Sequence, residues 1–204
     1  MEHAYWTDNT LHEFLMNLVL GSESPRRKEL LSILGFEFRT LKPDADETVP
    51  DGVSIENVPI NLAELKANIL LPQLLEHETI ICADTIVVLE NQIIGKPTDF
   101  EHAVNILSAL SNNTHTVYTG VNIRSHQKSI SFVEKTEVTF AKLNQNQIEF
   151  YVREFKPFDK AGAYGIQDWI GATAVKKING SYTNVMGLPT CRLRLELEQF
   201  QWIK

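Results

Sequence analysis

The chain has 204 residues, with 19 Lys and Arg against 26 Asp and Glu and a formal net charge of −7. That length suffices for one domain with a substantial core. The acidic balance argues against a general nucleic-acid or anionic-membrane binder, whose affinity would rest on a basic surface.

Residues 1–13 are polar with scattered aromatics and read as an N-terminal extension without the basic-then-apolar pattern of a secretory signal. Leu15–Leu20 is an apolar run suited to a buried strand. Beyond Gly21-Ser22-Glu23, Ser24 is a good N-cap and Pro25 takes the first helical position, where its missing N–H costs nothing. Leu30, Leu31, Ile33 and Leu34 give that helix a buried face, and Gly35 ends it. Arg26, Arg27 and Lys28 then face the positive end of the helix dipole, a conflict costing roughly a few tenths of a kcal/mol. An anion at that turn would relieve it, and free backbone N–H groups there suit a phosphate. The other account is a solvated basic turn, since no P-loop G-K-[ST] follows.

Phe36–Leu41 alternates like a half-buried strand, and residues 42–59, rich in Asp, Glu, Pro and Gly, read as a long loop. Asn61 to about Leu75 is predicted as a helix capped by Asn61, interrupted at Pro72, with Leu62, Leu65, Ile69 and Leu70 inside. Thr79–Leu89 is the strongest strand signal, and Glu90-Asn91 turns it into Gln92–Ile94, a hairpin ending at Gly95-Lys96-Pro97. A helix over Asp99–Ser111 precedes an antiparallel pair, Thr114–Arg124 and Ser129–Leu143, and a helix over Gln145–Phe155. Residues 159–171 form a Gly- and Ala-rich segment of the kind that marks close backbone approach or a binding loop. A strand over Ala172–Ile178 and a helix from Leu188 to about Gln201 close the chain. Strands and helices alternate early and an antiparallel section follows, so the fold class is α/β with a mixed sheet in a single domain over residues 14–204. No apolar stretch approaches membrane-spanning length. Cys82 and Cys191 lie far apart, with neither metal spacing nor a disulfide framework, which points to a reducing, cytoplasmic setting.

Asp84 interrupts an otherwise apolar run, where a carboxylate is costly unless paired, bound to metal, or placed at a strand break. It is either a structural carboxylate or a metal ligand and general base held by a rigid strand. Lys96, on a stiff turn, is a fixed cation or a solvated lysine; Lys66 is a site cation or a snorkelling surface residue. Glu47 is a site acid or part of a solvated acidic loop. Gln167 offers a donor and an acceptor that suit a nucleobase edge, although most glutamines meet only water. Together these residues supply anion donors, metal-binding carboxylates and a base-reading amide, the inventory for chemistry on a nucleoside polyphosphate. No G-x-S-x-G, reactive-Cys, Cys/His metal cluster or G-x-G-x-x-G signature competes.

The blocks Ser22-Glu23-Ser24-Pro25-Arg26-Arg27-Lys28-Glu29-Leu30-Leu31, Ala83-Asp84-Thr85, Gly95-Lys96-Pro97, 159–167 (Asp-Lys-Ala-Gly-Ala-Tyr-Gly-Ile-Gln) and 184–189 (Asn-Val-Met-Gly-Leu-Pro) closely resemble the Maf family of nucleoside triphosphate pyrophosphatases. The resemblance covers nearly everything after residue 13. It implies an elongated mixed sheet flanked by helices, with two lobes around a central cleft, often as a homodimer. It also implies hydrolysis of a nucleoside triphosphate to the monophosphate and pyrophosphate with a divalent cation, Mg²⁺ or Mn²⁺. Asp84 matches the family's catalytic proton acceptor; Arg26, Thr85 and Gln167 match positions tied to base selection in the dTTP/UTP branch. Ser22, Arg27, Lys66 and Lys96 match phosphate-binding positions, and Glu47 and Asp84 metal positions. The competing expectations are a pyrophosphatase for modified or non-canonical nucleotides, such as 7-methyl-GTP, and a nucleotide-binding regulator of cell division. Asp168-Trp169-Ile170 stands where many relatives have a small turn, and Trp169 is expected to pack rather than stack on a base.

Overall fold

Thr79–Leu89 is apolar or β-branched almost throughout, and it forms the long central strand β3. In the computed structural model, which describes residues 17–45, 48 and 52–202, six further strands gather around it: β1 (Leu18–Leu20), β2 (Phe38–Thr40), β4 (Gln92–Ile94), β5 (Thr114–Arg124), β6 (Ser129–Phe140) and β7 (Val175–Asn179). They form one seven-stranded mixed sheet in the order β2-β1-β3-β5-β6-β7, with β4 also on β3. β1 runs parallel to β2 and β3, and the other pairs are antiparallel. The expected extension over residues 1–13 and Glu47 lie outside the described residues.

The two edges of β3 differ, and the difference places the site. β5 pairs along one edge from Ile80 to Val88. The other edge is divided: β1 pairs with Thr79–Ile81 and β4 with Val87–Leu89, so Cys82–Ile86 has no strand on that side among the described residues. The chain leaves β1 at this opening. Gly21 still donates its N–H to Ile81 O (2.9 Å), and the next residues turn into helix α1 (Pro25–Ile33).

Helices cover both faces. α2 (Val58–Leu70) lies on the face carrying Val19, Ile80, Cys82, Ile86 and Val88. α1, α3 (Phe100–Leu110), α4 (Gln145–Phe155) and the closing helix pack on the opposite face, with Ala83, Val87, Val121 and Ile123. Asp99 caps α3 by accepting from His102 N–H, and Asn144 with Gln147 forms a capping box on α4. The short helices α5 (Trp169–Ala174) and α6 (Tyr182–Met186) precede the closing helix α7 (Thr190–Trp202).

Several local expectations shift. α2 begins at Val58, with Pro59 in its first turn, and Asn61 donates its side-chain N–H back to Asn57 O (2.9 Å) rather than capping. Its buried stripe is Leu62, Ala63, Lys66, Ala67 and Leu70; Leu65 is exposed. Small alanines in that stripe let the helix lie close on the sheet, which a search for large apolar residues passes over. Ile33 is 70% exposed, leaving Leu30 and Leu31 as the buried contacts of α1. The strand expected over Ala172–Ile178 is helix α5 as far as Ala174 and strand only from Val175. There Gly171 and Ala172 N–H donate to Asp168 O (3.0 and 3.4 Å), closing a turn of helix before the chain can extend. The expected closing helix starts at Thr190, because Gly187 takes a left-handed φ of +110° that ends α6 first.

Candidate functional site

The opening in the β3 edge lets side chains from both faces of the sheet reach one cleft. Successive strand residues point to opposite faces, so Asp84 projects toward α2 and Thr85 toward the larger core. Both nevertheless line the same cleft, with Arg26, Arg27, Lys66, Lys96 and Gln167 at its walls. An adjoining part carries Ser22 beside the β1–α1 turn. Every described residue that the sequence proposed for the site thus lines this cleft or its adjoining part.

Asp84 is held by Lys66, whose Nζ lies 2.6 Å from Asp84 Oδ1 in a buried pair. The pair splits the α2 face into two apolar clusters, one with Cys82, Ala67 and Leu70 and one with Ile86, Val58 and Leu62. Lys66 is therefore not a snorkelling surface lysine. α2 reaches this depth because Asp84 pairs across the sheet with Gly120, and the start of α2 lies directly over Gly120. A Cβ at that glycine would fall 2.2 Å from Ile60 N and 2.3 Å from Pro59 C. Burial pushes the neighbouring Cys82 thiol up to about 12, so it stays a neutral core group.

On the opposite face Arg27 is fixed by three acceptors: Gly187 O (2.8 Å, from Nε), Thr85 Oγ1 (3.1 Å) and Ser22 Oγ (3.4 Å). Ser22 is buried and also accepts from Ser24 N–H (3.2 Å). Ser24 occupies the N-cap position of α1 without a side-chain cap bond, and Ser24 itself faces the cleft. Arg26 pairs instead with Asp159 (2.9 Å), which also takes Lys160 (2.9 Å). Burial opposes ionisation of Asp159, but the hydrogen bonds from Lys160 and Arg26 outweigh it and hold the carboxyl below its usual value.

Lys96 stands exposed on the turn after β4, tied into the fold where Gly162 N–H donates to Gly95 O (3.1 Å). Gln167 is exposed at the cleft wall, on a loop whose backbone is anchored by Tyr151: its hydroxyl accepts from Gly165 N–H (3.0 Å) and donates to Asp168 Oδ2 (2.9 Å). Burial raises the Tyr151 pKa, so the hydroxyl keeps the proton this geometry requires. Trp169 packs against Phe150 and Tyr151 (ring centroids 5.2 and 6.5 Å apart), as expected of a core filler. Val87, Val117, Val185 and Met186 add apolar surface to the cleft wall.

Sequence reasoning gave no role to Asp159, Lys160, Thr119, Gly120 or Asn184. A glycine inside a strand does signal close backbone approach, so Gly120 was findable; the others depend on which distant segments meet. Among the described residues no group of three or more His, Cys, Asp or Glu converges as a metal site. The described carboxylates lining the cleft are Asp84 and Asp159, each paired with a side-chain cation; one or two carboxylates beside substrate phosphates are a donor set that suits Mg²⁺.

Residues 17–200 match the family described as Maf-like protein. A dTTP/UTP pyrophosphatase from Phocaeicola vulgatus is 48% identical over 184 residues, spanning 89% of this chain and 95% of that protein. One from Parabacteroides distasonis is 44% identical over 184 residues, spanning 90% and 95%. Among solved structures, the Staphylococcus aureus Ham1 protein has a similar fold, with a TM-score of 0.52 at 16% identity over 90% of this chain and 99% of that one. The match in sequence, running through each block that lines the cleft, leads to one assignment: this chain belongs to the Maf family.

Proposed function

We propose that this protein hydrolyses dTTP and UTP to the monophosphate and pyrophosphate. The observation that carries the reading is Asp84, a buried carboxylate on a rigid strand, set in a cleft whose walls bring Arg26, Arg27, Lys66 and Lys96 together. Those four cations are the complement to a triphosphate that the acidic chain as a whole lacks. In the reaction a water oxygen bonds to the α-phosphorus, the bond from that phosphorus to the bridging oxygen breaks, and pyrophosphate leaves. Asp84 accepts the proton from the water, and the four cations stabilise charge on the triphosphate and leaving group. Lys66, paired with Asp84 before substrate arrives, finds a second anion in the triphosphate. A divalent cation held by Asp84 and Glu47 would supply charge neutralisation to the phosphates.

Uracil and thymine share an N–H flanked by two carbonyls. A side-chain amide at Gln167 can accept from that N–H and donate to one carbonyl; an amide held in that orientation by the bound base would meet an acceptor in place of the N–H on cytosine and mismatch it. dTTP and UTP differ only in the 5-methyl and 2′-hydroxyl, so reading this edge accepts both. The same proposal takes residues 14–204 as one catalytic domain, acting as a homodimer on a cytoplasmic pool, with no nucleic-acid or membrane partner. The free Cys82 and Cys191 fit that setting.

The test is pyrophosphate release from a panel of ordinary and modified nucleoside triphosphates with Mg²⁺ or Mn²⁺, comparing the parent with Asp84→Asn. Selective turnover of dTTP and UTP that vanishes in the variant is expected. Preference for a modified purine would overturn the role of Gln167, and nucleotide binding without any turnover would make the protein a regulator rather than an enzyme.

A further inference from the structure

Thr119 is fully buried on β5, outside the cleft lining, yet its hydroxyl closes a ring of hydrogen bonds around Arg27. The direction of each bond follows from chemistry. Arg27 only donates, so Thr85 Oγ1 accepts from it (3.1 Å). The Asn184 carbonyl only accepts, so Thr119 Oγ1 gives it its proton (3.0 Å). The contact between the two threonine hydroxyls (2.9 Å) must then run from Thr85 to Thr119. Asn184 O also accepts from Gly187 N–H (2.9 Å), and Gly187 O accepts from Arg27 Nε (2.8 Å). The ring therefore starts and ends on one guanidinium, gripping it by Nε and by a terminal nitrogen. Asn184 is pinned in turn: its Nδ2 donates to Val117 O (3.2 Å) and Thr136 Oγ1 (2.9 Å), which fixes α6 to β5 and β6.

We propose that Thr119 is a positioning residue that sets the orientation of Arg27 through Thr85 on one side and Asn184 and Gly187 on the other. The proposal rests on the reading of Arg27 as a phosphate-binding group. Its physical content is that a guanidinium held at Nε by Gly187 and at its terminal nitrogens by Thr85 and Ser22 keeps one orientation in the cleft, so little reorganisation is needed when charge develops on the triphosphate. Thr119 sits in register with Thr85, so the two hydroxyls meet by strand pairing alone.

Thr119→Val keeps the shape and β-branching of the side chain and removes the link; Thr119→Ser keeps the hydroxyl and removes a methyl. Two readouts separate this proposal from the proposed function. The first is the NMR signal of the Arg27 Nε–H, assigned with an Arg27→Lys reference: hindered rotation and slow solvent exchange are expected in the parent and in Thr119→Ser, and measurably faster exchange in Thr119→Val, where Nε–H keeps Gly187 O but the link between Thr85 and Asn184 is lost. This readout holds whether or not the protein turns over nucleotide. The second is the kcat for dTTP, expected to fall about ten-fold in Thr119→Val, the scale of one lost hydrogen bond, with Thr119→Ser near the parent. If the parent hydrolyses no nucleotide, the proposed function falls while the Arg27 signal still decides the ring. An unchanged Arg27 signal in folded Thr119→Val, or equal losses of kcat in the Val and Ser variants, would overturn the role of Thr119.

Discussion

The placement of Lys66 against Asp84 depends on the missing side chain at Gly120, and Gly120→Ala tests that dependence. The added Cβ would lie 2.2 Å from Ile60 N, while an ordinary contact begins at 3.4 Å, so the start of α2 must retreat by about 1.2 Å. The obstacle is backbone on both sides, within a paired strand and the first turn of a helix, so no flexible side chain can absorb the move. Overpacking of this kind costs about 1–3 kcal/mol. The same retreat draws Lys66 away from Asp84, now 2.6 Å from it. A 1 Å misplacement in an active site can cost about a hundred-fold in rate. The four-carbon lysine stem takes up part of the shift, so a loss of about ten-fold in kcat/KM is expected. Urea unfolding and steady-state kinetics on the same preparation read both effects. Gly95→Ala serves as the stability control, because a Cβ there meets nothing within 4 Å. A Gly120→Ala protein with the parent's unfolding midpoint would refute the close approach, and one with lower stability but unchanged kinetics would refute its link to Lys66.

Two further predictions concern buried charge. Removing one partner of the Lys66–Asp84 pair leaves the other buried alone, so Lys66→Met should lose about 3–5 kcal/mol, whereas Lys66→Met with Asp84→Leu should regain most of that and remain inactive; a fully stable single variant in urea unfolding would refute this. His115 is buried against Phe140 and Tyr164, with Nε2 2.7 Å from the Tyr164 hydroxyl, and burial lowers its pKa to about 4. Between the ordinary 6.5 and 4 the unfolded chain binds a proton that the folded one refuses, so stability falls as pH drops through that window. His115→Gln should lose less stability than the parent between pH values of about 7 and 5, and equal losses by urea unfolding at the two would refute the assignment.

The elements were legible where local pattern and tertiary role agree. β3, the hairpin to β4 and the helix Gln145–Phe155 follow their sequence signals because strand alternation, turn residues and caps are properties of neighbouring residues. Glu90 and Asn91, both with positive φ, make the hairpin turn that their position implies. Leu62 and Leu70 of the expected α2 face are buried, but Ala63 and Ala67 carry too little apolar surface to mark their share of it, and the helix presses them onto the sheet at the expense of Leu65. α5 was hidden because a helix of six residues, set by hydrogen bonds to Asp168 O, leaves no periodic trace.

The candidate site shows the same division between identity and arrangement. Asp84 was conspicuous as a charge in an apolar run, and the arginines of α1 as charges at the wrong end of a helix dipole. Each anomaly is a local cost, and a local cost is visible in sequence. Its compensation is not, because the compensating group comes from far along the chain: Lys66 lies 18 residues from Asp84, Asp159 lies 133 from Arg26, and Gly187 lies 160 from Arg27. What joins them is the divided edge of β3. Had β1 and β4 met along that edge, Asp84 and Thr85 would face opposite sides of a closed sheet and no single ligand could touch both. The opening at Cys82–Ile86 makes the two faces one site, and a short β1 followed at once by the Ser22–Arg27 turn is what keeps it open.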